Sequence, residues 1–387
     1  MIYWIIYFLL AIGVFVFSQY VRDEDQKKLL LFYCTFIWLF GSFRYMVGTD
    51  FYSYMLIYKN SPQAISYLFE SRFEPMFTLI VMLLNYCEFS SQALFIVMES
   101  LTLFFFVKGV KVFSDDYREI LFIVIIYAVF SLGFYWSFNA VRQVTAMSIL
   151  LYSAKYILAR KFFKFNLCIL LAMSFHYIAI VFVWMYFIYD VRINKKTVIV
   201  LLLLSVVTVI TGYNFKVITE VMISVFSVTG MYYGYATRGL EYILIDGGIS
   251  NNTIAFILIF VFSMMCFYER ILSDKKSYVL FLSALVYLLI RIFVSLDDMS
   301  TSFLSSTIGR IAKYWGYFFI LYIGRCLYFI RSENRKKFLL LGIVLIFIFS
   351  FQVMNEMIYI DENYLYDANP EGVINNLNYS YNIQIFK

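Results

Sequence analysis

Residues 139–177 read NAVRQVTAMSILLYSAKYILARKFFKFNLCILLAMSFHY, and this stretch decides the fold. Two apolar runs are separated by Arg160, Lys161 and Lys164. Arg142 stands at the mouth of the first run, and His176, the single histidine of the chain, lies within the second. In lipid a guanidinium and an imidazole are costly, because hydrocarbon solvates neither charge nor unpaired polarity. Each has an ordinary explanation when taken alone: arginine snorkels to the interface, and a histidine can be a hydrogen-bonded structural residue. Together with the motifs around them, they mark a candidate site.

Composition sets the class. The chain is 63% hydrophobic and 14% charged, with three prolines in 387 residues, and its mean hydropathy is +0.80. That is far more apolar surface than a soluble core needs. The expected fold is all-α: a polytopic integral membrane protein with about 10–12 transmembrane or re-entrant helices, forming one transmembrane domain over residues 1–387. The net charge of +6 belongs to basic loops. No lysine or arginine block lies on a soluble segment, so no nucleic-acid partner is expected. Tyrosine and phenylalanine are abundant, at 35 and 44. Tyrosine suits the membrane interface, and exposed rings can stack on sugars. Cys34, Cys87, Cys168, Cys266 and Cys326 stand singly in apolar runs, so neither a disulfide framework nor a metal site is expected. P-loop, G-x-S-x-G, H-E-x-x-H and D-x-D patterns are missing, which argues against nucleotide-driven or metal-centred chemistry, and no cofactor is expected.

Outward from the opening stretch, apolar runs recur almost from end to end. Ile2 to Tyr20 has no positive leader region and no small-x-small cleavage site, so it reads as a retained helix. Arg22, Lys27 and Lys28 follow; basic residues collect on the cytoplasmic side, which puts the N-terminus outside. Leu29 to Phe43 returns outward and delivers Arg44 to Tyr54. Met55 to Phe69, with a turn at Pro62, reads as interfacial.

Two regions strain the alternation. Phe73 to Phe113 holds two apolar runs, and two full crossings leave Lys108, Lys111 and Arg118 outside. Phe165 to Tyr189 is flanked by Arg160, Lys161 and Lys164 on one side and Arg192, Lys195 and Lys196 on the other. A broken or re-entrant helix in each region keeps all of these in the cytoplasm. Two ordinary crossings followed by one satisfy length but strand basic residues outside. The charge rule favours the first arrangement, with Arg142 at the outer face and His176 at a turn dipping in from the cytoplasmic side. Further on, Thr197 to Thr211 exits, and residues 212–252 form a long periplasmic loop carrying Arg238. Thr253 to Tyr268 re-enters, Ser277 to Leu296 exits, and Thr307 to Ile330 crosses inward. Phe338 to Ile358 exits, and residues 361–387 form a periplasmic C-terminal tail.

In this topology Arg44, Asp50, Arg72, Glu74, Arg142, Arg238 and Arg310 all fall at or just beyond the outer end of a helix. Arg310, Lys313, Tyr314 and Tyr317, spaced i, i+3, i+4, i+7, are expected on one helix face, where interfacial anchoring is the plain alternative for Lys313 and Tyr317. Several arginines at one outer cavity suit an anion, most plausibly a diphosphate, because guanidinium groups grip phosphate with paired donors.

Five motifs then occur in order: R-x-x-x-G-T-D from Arg44 to Asp50 followed by Tyr54; Phe73-Glu74-Pro75 opening an apolar run; Arg142-Gln143 opening a helix; Phe175-His176 after L-L-A-M-S; and Arg310-x-x-x-Tyr314. In these the chain resembles the EpsG family of exopolysaccharide polymerases, which groups with Wzy-type O-antigen polymerases. The likeness runs from about Leu29 to Ile330. It implies a GT-C-like glycosyltransferase of the bacterial inner membrane that joins undecaprenyl-diphosphate-linked repeat units on the periplasmic face, surrounded by membrane lipid and with a chain-length regulator as partner protein.

The residues suit that chemistry. Arg142, Arg310 and Arg238 can stabilise charge on a diphosphate leaving group. His176 can take the proton of an acceptor hydroxyl, with Asp50 or Glu74 as carboxylate alternatives. Asp50 can instead orient Arg44 through a salt bridge. Arg44, Gln143, Arg238, Tyr314 and Arg72 are expected to bind substrate. Other readings stay open: a flippase for the same lipid-linked glycan, an O-antigen ligase, or a membrane acyltransferase built on the lone histidine. The missing two-fold repeat and the clustering of charge at one face weigh against a transporter.

Overall fold

The computed structural model describes residues 2–44, 47–48, 50–62, 67–71, 73–211, 251–293 and 310–365. Among these, 85% are helical and none lies in a strand, as expected of an all-α chain. The helices are α1 (Ile2–Ser18), α2 (Asp23–Ser42), α3 (Phe51–Lys59), α4 (Tyr67–Glu70), α5 (Pro75–Tyr86), α6 (Gln92–Phe113), α7 (Tyr117–Val129), α8 (Val141–Leu158), α9 (Phe162–Met173), α10 (Met185–Ile188), α11 (Lys195–Ile210), α12 (Asn251–Ser273), α13 (Lys275–Phe293), α14 (Gly316–Glu333) and α15 (Arg335–Leu365). A π-helical turn over Ser131–Tyr135 follows α7, and a 3-10 helix over Tyr177–Trp184 precedes α10. Four of the helices are long and apolar enough by length and composition alone to cross a membrane. Helix α15 runs to Leu365 and α12 opens at Asn251; the remainder of the tail and of the long loop expected from the sequence lies outside the described residues. Residues 212–250, with Arg238, lie outside the described residues.

The basic turns gather at one end of the bundle, termed inner. Arg118, at the start of α7, donates to the Val21 carbonyl at 2.7 Å and pairs with Asp23 in the α1–α2 turn. Lys275 reaches the Leu158 carbonyl at 3.4 Å, and Arg331 reaches Gln19 at 3.4 Å. Gln92, at the start of α6, instead meets the carbonyls of Ser42 and Arg44, so the outer ends of α2 and α6 coincide. Helix α6 therefore crosses from outer to inner and delivers Lys108, Lys111 and Arg118 to the basic end.

Each of the two difficult regions contains a short helix, beside the full-length α6 in the first. Helix α5 has 12 residues, about 18 Å at 1.5 Å per residue, well short of a hydrocarbon core of about 30 Å. Helix α9 also has 12 residues and rises from the inner end; the 3-10 helix and α10 then descend again over about 22 Å. An ion pair between Arg160 and Asp190 joins the two feet of this hairpin. Both flanks thus lie at the inner end, as the charge argument favoured, and a single crossing of Phe165 to Tyr189 is ruled out.

Local chemistry sets the boundaries. Pro75 at the first position starts α5 after the extended Glu74. Asp116 caps α7 by accepting from Arg118 N–H, and Asn194 caps α11 by accepting from Thr197 N–H. Helix α8 ends in a Schellman turn: Arg160 takes φ 57°, Arg160 N–H reaches Ile157 O, and Lys161 N–H reaches Tyr156 O. Helix α5 ends the same way at Glu88, also with φ 57°.

At the centre, every residue of α7 from Glu119 to Val129 is buried, so it is a helix without a lipid face. Helix α14 packs beside it, buried from Gly316 to Gly324. Around them α1, α9, α11, α12 and α15 turn large apolar side chains outward, among them Leu170, Leu204, Phe262 and Phe347, as a lipid-facing surface does. Polar contacts tie helices together inside this shell: Thr102 with Thr145 at 2.8 Å between α6 and α8, and Ser263 with Tyr322 at 2.8 Å between α12 and α14.

Candidate active site

Four chain segments converge towards the outer end: the start of α5, the start of α8, the tip of the α9 hairpin, and the turn before α14. Two features of the backbone make the meeting possible. Gly133 adopts φ −89°, ψ −121° inside the π-helical turn, and a Cβ there would lie 2.0 Å from the Tyr127 carbonyl oxygen. Only glycine fits, and the break ends α7 early so that residues 136–140 can lead into α8. Gly48, the glycine of R-x-x-x-G-T-D, has φ +96°, and a Cβ there would stand 2.5 Å from the Phe138 carbonyl oxygen. The outer segment is thereby laid directly on the residues that precede Arg142.

Arg142 pairs with Glu74 through Nη1. Its guanidinium also lies over the rings of Phe73 and Phe77, 5.1 and 5.4 Å from their centroids, a cation–π setting that fixes its plane. Its Nε is buried with no hydrogen-bond partner among the described residues. Glu74 is 5% exposed; its second oxygen is 3.4 Å from the Tyr177 N–H at the hairpin tip. The tip is held further by Met76 N–H donating to the Ser174 carbonyl at 2.9 Å. His176, 8% exposed, shares a hydrogen bond of 2.5 Å between Nδ1 and the Tyr314 hydroxyl. Its Nε2 makes no hydrogen bond among the described residues. His176 senses the charges of both Arg142 and Arg310, and Tyr314 senses Glu74 as well. Gln143 donates to the Arg310 carbonyl at 2.7 Å, which pins the entry to α14 against α8. The N-terminal ends of α5 and α8 add positive partial charge to the same place.

The sequence-derived candidates fall into groups. Glu74, Arg142, Gln143, His176, Arg310 and Tyr314 are brought together. Gln143, expected to bind substrate, donates to backbone and is 2% exposed. Arg44 is buried, 5% exposed, between the rings of Phe95 and Phe138 at 4.5 and 4.9 Å. Asp50 stands at the cap position of α3. Tyr54, one turn along α3, links the groups: it is buried and senses Arg142, Asp50 and Arg44 together. Arg72 and Arg238 lie outside the described residues.

One expectation is corrected. Arg310, Lys313, Tyr314 and Tyr317 do not share a helix face, because the chain turns at Tyr314 and Trp315 before α14 opens at Gly316. Arg310 is exposed, Lys313 sits 3.0 Å from the Trp136 ring centroid, and Tyr314 turns to His176. Tyr317 is buried against Phe106 and Tyr127. The helical spacing did not reveal the break, since no proline marks it.

Glu99 was missed. It lies in the apolar run of α6, 3% exposed, with Oε1 unpartnered among the described residues and Oε2 3.4 Å from the Ser137 hydroxyl. Its carboxyl group fills the space a side chain on Gly41 would need, 2.8 Å from an added Cβ. It shares a helix face with Phe95, four residues earlier, and its charge acts on Arg44. An acidic residue in an apolar run was the available signal.

The arrangement offers a fixed cation with uncommitted donor capacity, a carboxylate that holds it, and an imidazole oriented through one nitrogen. Among the described residues no three His, Cys, Asp or Glu side chains group as metal ligands. Against known proteins, the model of a family described as the EpsG family matches residues 27–366. No curated protein and no solved structure matches the chain.

Proposed function

Because the chain belongs to the EpsG family, which supports an exopolysaccharide or O-antigen polymerase in general, we propose that it is a GT-C-like glycosyltransferase. In this reading it extends undecaprenyl-diphosphate-linked glycans on the periplasmic face of the bacterial inner membrane. The observation that carries the reading is the meeting of the Glu74–Arg142 pair with the His176–Tyr314 pair at one depth. A hydroxyl oxygen of the acceptor sugar attacks the anomeric carbon of the donor. The bond from that carbon to the diphosphate breaks, and its electron pair leaves on the diphosphate oxygen. Arg142 and Arg310 meet the growing negative charge; Glu74 holds Arg142 in plane, and Phe73 and Phe77 keep water from it.

The attacking hydroxyl loses its proton to His176. In the tautomer that serves, Nδ1–H donates to the Tyr314 oxygen and Nε2 presents its lone pair to the acceptor. Tyr314 thus orients the base as the third group of a relay does. Asp50 belongs to the same outer face and is the alternative carboxylate base there.

The test is complementation of a strain deleted for this gene, read as glycan chain length on a gel, with membrane accumulation measured alongside. A polymerase restores long ladders. Single-unit attachment indicates a ligase, altered sidedness of lipid-linked units a flippase, and ester products an acyltransferase; any of these in place of ladders overturns the reading.

A further inference from the structure

At the inner end, the last turns of α6 and α8 flank a shallow, open groove of about 580 Å³ lined by Lys108, Lys111, Val112, Tyr152, Lys155 and Leu158. Its lysines are held by aromatic faces. The Lys155 ammonium rests on Tyr152 and Tyr156, 3.7 and 4.6 Å from the ring centroids, and donates to the Tyr152 hydroxyl. Lys111 lies 5.2 Å from the Tyr117 ring centroid and Lys108 5.7 Å from that of Phe104. Among the described residues no carboxylate pairs with any of the three. A second groove of similar size, about 560 Å³, lies between the ends of α1 and α2 and includes Arg22 and Lys28. There Asp25 pairs with both cations, at 3.4 and 2.7 Å, and Glu24 pairs with Arg22 at 2.9 Å, so two carboxylates answer two cations and that groove is close to neutral. Part of the charge in the first groove is answered by the helix C-termini, since Lys111 and Lys155 stand in the last turns of α6 and α8. Half a unit of negative charge per helix end does not balance three ammonium groups.

We infer that the Lys108–Lys111–Lys155 groove binds the headgroup of an anionic glycerophospholipid of the inner leaflet, such as phosphatidylglycerol. Its lining fits a lipid: Val112 and Leu158 add apolar surface beside the lysines, the exposed Phe104 ring is one turn above Lys108, and acyl chains can lie along that face. A phosphodiester supplies the anion the protein itself omits, and the aromatic rings hold the ammonium groups at the depth where phosphates lie. The site is at the opposite end of the bundle from His176 and is independent of the catalytic reading.

The experiment measures lipid retained by the purified full-length protein in detergent by native mass spectrometry, and its melting temperature in bilayer discs of phosphatidylglycerol or phosphatidylcholine. The wild type is expected to keep phosphatidylglycerol preferentially and to melt higher in it. Each lysine is expected to contribute about fivefold in affinity, so K108Q/K111Q/K155Q loses the preference, K108R/K111R/K155R retains it, and R22Q/K28Q at the neutral groove leaves it unchanged. Equal retention of the two lipids by the wild type overturns the inference without reference to any variant. Undiminished phosphatidylglycerol binding by the glutamine variant overturns it as well, and preferential retention of a polyprenyl phosphate assigns the groove to the carrier and overturns the phospholipid.

Discussion

Among the described residues two arginine–glutamate pairs have a buried carboxylate, one at each end of the bundle, and they differ in how much of their bonding capacity is committed. At the inner end Arg325 binds Glu119 with Nη1 at 2.8 and 2.7 Å, Asp274 with Nη2 at 3.1 Å, and Ser277 with Nε at 3.2 Å. Ser114 donates to Glu119 at 2.5 Å. Every guanidinium nitrogen is used, and the network ties α7, α13 and α14 to the α12–α13 turn. At the outer end Arg142 meets Glu74 through one nitrogen, its Nε is buried unpartnered, and the second Glu74 oxygen has only a long contact. A buried ion pair survives desolvation when its remaining donors and acceptors are satisfied. The inner pair meets that condition within the protein; the outer pair, though Tyr54 also bonds Arg142, leaves the buried Nε without a partner among the described residues. Residue type does not distinguish the two pairs; the unfilled valence does.

The largest expected effect breaks the outer pair. R142K keeps the charge but loses the fork, and E74Q loses the anchor of the guanidinium; each is expected to lower polymerisation by on the order of a hundredfold or more. Glycan ladders collapse while the protein still accumulates in the membrane. Full-length ladders from R142K would remove the anion-clamp role.

The inner pair is expected to respond in stability instead. R325A leaves Glu119 buried and unpaired, a loss of about 3–5 kcal/mol, seen as a lower melting temperature of the detergent-solubilised protein. The apolar replacement R325M/E119L is expected to recover much of that and to keep ladder synthesis per folded molecule, whereas R142M/E74L stays inactive however well it folds. If both apolar replacements behave alike, the contrast between the two pairs is wrong.

A smaller effect concerns the imidazole. H176A is expected to lose polymerisation without losing folding, and H176Q to recover little, because an amide hydrogen-bonds but cannot carry the proton. Y314F removes one hydrogen bond, about 1 kcal/mol, and is expected to slow chain growth about fivefold. Normal ladders from H176Q would make His176 structural and pass the base role to Glu74.

The smallest effect is pH-dependent. Asp274, in the turn between α12 and α13, is partly buried, which raises its pKa. Hydrogen bonds from Ser277 and Arg325 outweigh that and hold it below the usual carboxylate range. A depressed folded-state value contributes stability above the ordinary carboxylate pKa, and that contribution is lost as pH falls through the lower one. Melting temperature is therefore expected to fall from about pH 4 downward, with a shallower fall in D274N. An unchanged acid slope in that variant would exclude Asp274 from the inner network's stability.

The sequence by itself determined the solvent in which this chain folds. Hydropathy is summed residue by residue, so runs such as Asn251–Ser273 declare helices in lipid before any packing is known. Charge is equally local, and the clusters flanking Phe165 to Tyr189 were enough to favour a hairpin. Ordered motifs named Glu74, Arg142, His176 and Tyr314. What they touch was decided only by tertiary structure. Arg142 meets Glu74 across 68 residues and Tyr314 meets His176 across 138, distances over which neither periodicity nor propensity carries information. The break at Tyr314, the glycine-only turn at Gly133 and the burial of Glu99 under Gly41 arise for the same reason. Each answers the shape of a neighbour that lies far away in the chain, and shape exists only once the helices have packed.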